Sequence, residues 1–253
     1  MEQTVPSRLR EFFAGHPRAA LAFSGGVDSA YLLYAAQACG CRVRAYYVQT
    51  AFQPAFEAQD AERLARQLGA ELQVLHADIL DVEAVRQNPA DRCYHCKNAL
   101  FTRICAAAAA DGFDLVMDGT NASDDADDRP GMRALRELGV VSPLRLCGIT
   151  KQALRQYSKD AGLFTWDKPA YACLATRIPT GTVLRAEDLR AVEQAEDAVR
   201  ALGFTDFRVR ITPDGGAKLQ VPASQWDRAA GMRRQLGTAL AAFPWACLDF
   251  KTR

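Results

Sequence analysis

Apolar and polar positions follow two different rhythms along this chain. Over the first two thirds, short apolar runs bounded by turn residues recur at Ala19–Phe23, Val43–Val48, Glu71–His76 and Leu115–Met117, and each reads as a strand. Helical spacing fills the gaps between them. Residues 7–14 predict a short amphipathic helix before Pro17, and Asp28 to about Cys39 a helix with Tyr31, Leu32, Ala35 and Ala36 facing inward. Pro54–Leu68 predicts a helix stopped by Gly69, and Asn88–Ala110 passes through Cys-Tyr-His-Cys into a long alanine-rich helix. Strands alternating with helices predict an α/β fold, a parallel sheet with helices on both faces. From Thr150 a further helix leads to a Trp- and Pro-containing loop over 166–181. Beyond Arg185 the rhythm changes: a helix over about 186–202, strands at Phe207–Ile211 and Ala217–Val221 around an Asp-Gly-Gly turn, a helix around Trp226–Leu236, and a last strand at Phe243–Phe250. This predicts a first domain over 1–182 and a small α+β domain over 183–253.

Composition narrows the class. At 253 residues and 49% apolar, the chain buries enough surface, roughly 70–75% of its unfolded area, to need no covalent staples. Its 31 basic and 30 acidic side chains leave a net charge of +1, so there is no global basic field for nucleic acid. No apolar run approaches the roughly 20 residues of a membrane span, and the first residues lack the apolar stretch of a secretory signal. A cytoplasmic protein is expected, and its eight cysteines are then thiols rather than a disulfide framework.

Two segments carry chemistry. Phe23-Ser24-Gly25-Gly26-Val27-Asp28-Ser29 joins a predicted strand to a predicted helix. Glycines let backbone approach an anion, the helix start offers amides and a positive dipole end, and Ser24 and Ser29 add hydroxyls. Asp28 could hold a magnesium ion that bridges phosphates. The alternative is an ordinary joint of small residues. Neither a GxxxxGK[ST] loop nor a GxGxxG fingerprint is present. Cys173, in the loop WDKPAYACLATRIPTGT, has Arg177 and Lys168 nearby in sequence, an electropositive setting that favours the nucleophilic thiolate. The bland alternative is a small gap-filling residue. Cys93 and Cys96 form a lone CxxC, short of the four ligands of a zinc site; a redox pair or simple packing are the other readings. Cys39, Cys41, Cys105, Cys147 and Cys247 show no partner spacing and are expected to pack.

SGGVDS, NPxxRCYxCKxxLF, DGTNxSD, RPGxxALxELGVxSPL and WxKPxxACLATRIPxGT occur here in that order. The string SGGVDS resembles that of the pyrophosphatase-loop ATP-dependent enzymes, and the whole set is similar to the LarE-type sulfur transferases, from about Ser24 through Gln220. The resemblance implies a Rossmann-like, adenine-nucleotide α-hydrolase type of domain with a small C-terminal α+β domain. It implies ATP and magnesium, with Ser24, Gly25, Gly26, Val27, Asp28 and Ser29 around the pyrophosphate, Asp28 on the metal, and Gly119, Thr120 and Arg177 completing the nucleotide site. A carboxylate of pyridinium-3,5-biscarboxylic acid mononucleotide would be adenylated and then converted to the thiocarboxylate of the nickel-pincer cofactor of lactate racemase. Cys173 matches the sulfur donor, whose carbon–sulfur bond breaks to leave dehydroalanine. Arg208 and Arg210, two apart on a predicted strand and so on one face, match arginines on the mononucleotide phosphate and the substrate end; without the resemblance a solvated strand face would serve as well. Glu196 and Asp227 match acidic residues of sulfur transfer. Gln220 departs from the pattern, which has glutamate there.

The resemblance leaves a second route open: sulfide passed from a [4Fe-4S] cluster held by Cys93, Cys96 and Cys173. It also implies a homo-oligomer and a small-molecule substrate, with neither nucleic acid nor membrane as partner. A tRNA thiolase of the same superfamily would want a basic RNA surface, which the charge balance does not supply. An amide-forming synthetase would not need the Cys173 loop, and a non-catalytic nucleotide-binding partner would release no pyrophosphate.

Overall fold

The computed structural model describes residues 4–124 and 130–251. In chain order its elements are α1 (Ser7–Ala14), β1 (Arg18–Ala22), α2 (Val27–Ala38), β2 (Arg42–Gln49), α3 (Ala55–Leu68), β3 (Glu71–His76), α4 (Glu83–Arg86), α5 (Arg92–Ala110) and β4 (Val116–Met117). There follow α6 (Pro130–Glu137), α7 (Pro143–Leu146), α8 (Lys151–Asp160), α9 (Ala186–Ala201), β5 (Arg208–Ile211), β6 (Ala217–Gln220), α10 (Trp226–Gly231), α11 (Arg233–Ala239) and β7 (Ala246–Leu248). They form two compact units: Met1–Ile79 with Asp91–Ala170, and Leu80–Ala90 with Tyr171–Arg253. No helix among the described residues is long and apolar enough to cross a membrane.

The first unit is the expected α/β layer structure. Its sheet runs β3-β2-β1-β4, every neighbouring pair parallel. Alternate residues of β1 and β2 point to opposite faces. Ala19, Leu21, Val43, Ala45 and Tyr47 pack with Leu32 and Leu33 of α2, Leu64 of α3 and Leu154 of α8. Ala20, Tyr46 and Val48 pack on the other face with Ile104 and Ala108 of α5. Helices cover both faces, which is why these strands read as nearly continuous apolar runs. The chain moves outward from β1 to β2 and β3, then returns to place β4 on the free side of β1. Beyond the carboxyl ends of β1 and β4 lies the topological switch point, where ligands of such sheets bind.

Helix α2 differs from its expectation in one respect. Ala30 and Leu33 are buried along with Tyr31, Leu32, Ala35 and Ala36, so the helix is enclosed nearly all round. Helices α6 and α7 were not expected; both begin at a proline, whose fixed φ suits a first helical position although it reads in sequence as a breaker. Arg129, at the start of the RPG string, lies outside the described residues.

The second unit folds around a three-stranded sheet, β5-β6-β7, with β5 and β6 antiparallel and β6 and β7 parallel. Ala195 and Val199 of α9 pack with Phe204, Phe207, Val209 and Leu219, and Ala229 and Leu236 close the other side of that core. Where the sequence places the seam between 182 and 183, the compact units divide between 170 and 171, and Leu80–Ala90 joins the second. The cause is Asn88, held at a positive φ of 52° and fully buried. Its Nδ2 donates to the Pro179 carbonyl at 2.8 Å and its carbonyl accepts from Gly181 N at 2.8 Å, while Leu184 N donates to the Arg86 carbonyl at 2.8 Å. The single helix expected around Trp226–Leu236 is two, α10 and α11, broken after Gly231. The last strand is only Ala246–Leu248, because Pro244 has no N–H to give a ladder.

Candidate active site

In the first unit, the SGGVDS segment turns from β1 into α2. Gly26 is the N-cap of α2 and no side chain caps it, so the first amides of the helix are open to an anion. The two serines shape the turn: Ser24 N donates to Ser29 Oγ at 3.2 Å, and the two hydroxyls lie 3.1 Å apart. Val27 is buried in the core beneath. Gly25 sits at φ +69°, and a Cβ there would come within 3.0 Å of the Ala61 backbone in α3. Gly119, after β4, is tighter still, since a Cβ would lie 2.9 Å from Ser29 N. Two strand-end turns thus approach each other so closely that only glycine fits at the contact.

Their side chains meet as well. Asn121 Nδ2 donates to Asp28 Oδ1 at 3.2 Å, and Lys151 Nζ, from the start of α8, donates to Asp28 Oδ2 at 2.5 Å. Lys151 N is in turn held by Ser123 Oγ at 2.9 Å, and Thr150 caps α8 by accepting from Ala153 N. Thr120 donates to the buried Asp118 carboxylate, whose other oxygen accepts from Ser142 Oγ at 2.5 Å. Hydroxyls, amides, one half-exposed carboxylate and one ammonium therefore line this end of the sheet, a set suited to phosphates and a hard cation.

The second unit builds a different kind of site around a buried carboxylate. Arg177 and Glu196 are each 1% exposed. Arg177 Nε donates to Glu196 Oε1 at 2.8 Å and Nη2 to Oε2 at 3.1 Å. Glu196 Oε1 also accepts from Val209 N of the edge strand β5 at 3.0 Å, and Oε2 from the Tyr171 hydroxyl at 2.5 Å. Burial alone would raise the Glu196 pKa; Arg177, Tyr171 and the Val209 amide together hold it below the ordinary carboxylate range. The remaining Arg177 nitrogen, Nη1, donates to the carbonyls of Ala172 at 2.8 Å and Cys173 at 3.4 Å and to Thr176 Oγ1 at 2.9 Å. Cys173 is half-buried and leads the 3₁₀ turn Leu174–Arg177; its carbonyl also accepts from Thr176 Oγ1 at 2.8 Å.

Two more arginines complete the group. Arg208 is buried, its guanidinium 5.0 Å from the centre of the Tyr171 ring, and the guanidinium of Arg177 lies 4.6 Å from the same centre. Arg210 Nη1 donates to the Thr176 carbonyl at 2.6 Å. Burial and then Arg177 push both Arg208 and Arg210 below arginine's ordinary value. Arg208 and Arg210 thus bring two further guanidiniums to the Arg177–Glu196 pair, a set of donors suited to an anion.

The chain matches the family model of asparagine synthase over residues 5–124, a span that takes in SGGVDS and DGTN. It is 37% identical over 228 residues to an uncharacterised protein of Synechocystis, covering 89% of this chain and 84% of that one. It is 33% identical over 210 residues to pyridinium-3,5-bisthiocarboxylic acid mononucleotide synthase of Lactiplantibacillus plantarum, covering 82% of this chain and 76% of that enzyme. The chain belongs to the LarE-type sulfur transferases. An uncharacterised protein of Methanocaldococcus jannaschii is 28% identical over 206 residues.

As a LarE-type protein the chain is an ATP-dependent sulfur transferase of the pyrophosphatase-loop superfamily. Several expected site residues take unexpected positions in it. Arg177, expected on the nucleotide, is sealed inside the second unit with every nitrogen engaged. Lys168, expected to favour the Cys173 thiolate, is ion-paired to Asp60 at 2.7 Å within the first unit. Asp227 is exposed in the first turn of α10 and has no hydrogen-bonded or ion-paired partner among the described residues. Cys93 is exposed and Cys96 half-buried in the first turn of α5, in the first unit, whereas Cys173 belongs to the second. Among the described residues no group of three or more His, Cys, Asp or Glu is placed to hold a metal ion.

Asn121 is visible in the sequence as the last residue of DGTN, and Lys151 as the first residue after an N-cap threonine; Tyr171 and Asp249 emerge only through their tertiary contacts.

Proposed function

We propose that the protein adenylates a ring carboxylate of pyridinium-3,5-biscarboxylic acid mononucleotide and exchanges one of its oxygens for the sulfur of Cys173. The observation that carries this reading is the turn at Cys173, whose carbonyl and neighbours are clamped by the buried Arg177 while Arg208 and Arg210 bring two further guanidiniums in the same unit. An anionic mononucleotide suits that charge, and a thiol on a braced turn suits attack on an acyl carbon.

In the first step a carboxylate oxygen attacks the α-phosphorus of ATP, the bond to the bridging oxygen breaks, and pyrophosphate leaves. The open amides of α2, the Ser24 and Ser29 hydroxyls and the Lys151 ammonium would hold the departing phosphates. Asp28 is the hard oxygen donor that would bind magnesium, which when bound neutralises phosphate charge. In the second step the Cys173 thiolate attacks the acyl carbon and AMP leaves, giving a thioester. Loss of the Cys173 Cα proton with cleavage of its Cβ–S bond then releases the thiocarboxylate and leaves dehydroalanine. Arg177 and Glu196 act in this scheme as the brace of the Cys173 turn, since all four hydrogen bonds accepted by the carboxylate are internal.

The test is incubation with ATP, magnesium and the biscarboxylate mononucleotide, followed by intact-protein mass and product analysis. A mass decrease equal to one H₂S, with equimolar thiocarboxylate, is expected; unchanged protein mass alongside product would overturn Cys173 as the sulfur source. Cys173→Ser should still release pyrophosphate and make no thiocarboxylate.

A further inference from the structure

A chain of side-chain hydrogen bonds runs from the end of the last strand to Arg210. In antiparallel β5 and β6, Arg210 stands opposite Lys218 and diagonal to Gln220, a pair that long side chains can span on one face. Arg210 Nε donates to Gln220 Oε1 at 2.7 Å. The parallel register of β6 with β7, which pairs Leu219 with Leu248, sets Asp249 beside Gln220, and Gln220 Nε2 donates to Asp249 Oδ2 at 2.8 Å. Asp249 is itself fixed: its N donates to the Leu219 carbonyl at 2.9 Å, and its Oδ1 accepts from Lys251 N at 3.0 Å.

The orientation of the Gln220 amide follows from chemistry. A guanidinium only donates and a carboxylate only accepts, so with Asp249 on one side the amide must turn its NH₂ there and its carbonyl to Arg210. Without Asp249 only Arg210, the residue to be positioned, favours that sense of the amide, and the Gln220 side chain has no fixed anchor.

We propose that Asp249 is a positioning residue for sulfur transfer: through Gln220 it holds Arg210 in the pose in which that arginine meets the anionic substrate. This rests on the reading of Arg210 as a substrate ligand. Arg210 also donates to the Thr176 carbonyl, so the relay reaches the turn that carries Cys173.

The test measures single-turnover thiocarboxylate formation against biscarboxylate mononucleotide concentration, giving a half-saturating concentration and a limiting rate. Asp249→Ala should raise the former about tenfold, the loss of one charge-assisted contact, and change the limiting rate less. Gln220→Glu puts two carboxylates face to face, so its half-saturating concentration should rise with pH as the proton they share is lost. The double variant Gln220→Glu/Asp249→Asn restores one carboxylate and one amide in swapped places. It should return to within about threefold of the wild type with a flat pH profile. Should Asp249→Ala not fold, the Gln220→Glu single and the double variant carry the test alone.

Arg210→Ala separates the two layers. If it leaves the half-saturating concentration unchanged, Arg210 is not a substrate ligand and the inference falls with that reading. If Arg210→Ala weakens substrate binding but Gln220→Glu and the double variant behave alike, the reading stands and Asp249 has no positioning role.

Discussion

The two units present hydrogen-bond donors of opposite kinds. In the first, the donors are main-chain amides at the start of α2, brought into the open by glycines and supplemented by hydroxyls, and the charged pair Asp28–Lys151 stays half-exposed. In the second, the donors are guanidiniums on long side chains, and the charge is buried around Glu196. Backbone donors are fixed by the fold and lose little freedom on binding. Side-chain donors must be braced, and here the brace is a carboxylate whose hydrogen bonds point inward. The first site is therefore sensitive to shape, the second to charge.

That contrast is broken most strongly at Glu196. Glu196→Ala would leave the guanidinium of Arg177 buried without a counter-charge, at a cost of about 3–5 kcal/mol, read by chemical denaturation. The pH dependence has a definite sign. The folded-state pKa of Glu196 is depressed below its ordinary 4.5, so the stability it contributes is present above that value and is lost as pH falls through the lower folded value. Wild type should lose stability in acid more steeply than Glu196→Gln; equal acid slopes would show that the carboxylate is not held as described.

The corresponding break in the first unit is one of shape. Gly119→Ala adds a methyl group 2.9 Å from Ser29 N, and backbone on both sides must shift. Pyrophosphate release should fall about a hundredfold with the charge set intact, as expected when a site is displaced by a fraction of an ångström to one ångström. The same measurement on Glu196→Gln should move much less.

How legible each site is in the sequence follows the same division. SGGVDS and DGTN are contiguous strings at predicted strand ends, so the first site could be read almost whole. What escaped were Asn121 and Lys151 as partners of Asp28, 93 and 123 residues away in sequence, contacts set by the return of the chain to β4 and by the docking of α8. In the second unit the residue types were legible but their hydrogen-bond partners were not. Arg177 and Glu196 carry the charge expected of substrate-facing groups, yet spend it on each other, because α9 packs Glu196 against the edge of β5. The strand and helix pattern was legible wherever burial is one-sided or continuous. It was not at Leu80–Ala90, whose place in the second unit depends on the bonds of Asn88 to a segment 91 residues later.

A smaller effect is expected at Tyr171. Tyr171→Phe keeps the ring beside Arg177 and Arg208 and removes only the hydroxyl that donates to Glu196 Oε2. Losing a hydrogen bond to a buried charge should cost about 1.5–3 kcal/mol. If Glu196 is a brace, Tyr171→Phe and Glu196→Gln should be non-additive, since each loosens the same four-bonded carboxylate. Additive losses would mean that Tyr171 and Glu196 act independently, and the buried network would then be a set of pairs.

The smallest effect isolates burial itself. Glu62 and Arg66 on α3 form the same kind of ion pair as Glu196 and Arg177, but at 3.7 Å, one helical turn apart, with side chains 54% and 72% exposed. The residue types match and the order along the helix, Glu before Arg, is the favourable one. In water the pair gains little beyond what each side chain already has, so Glu62→Ala should change stability by less than about 0.5 kcal/mol. The gap between this value and that of Glu196→Ala measures what enclosure adds to one and the same chemistry. A large loss at Glu62 would mean that α3, which Gly25 approaches at the Ala61 backbone, is held by its surface charges rather than by packing.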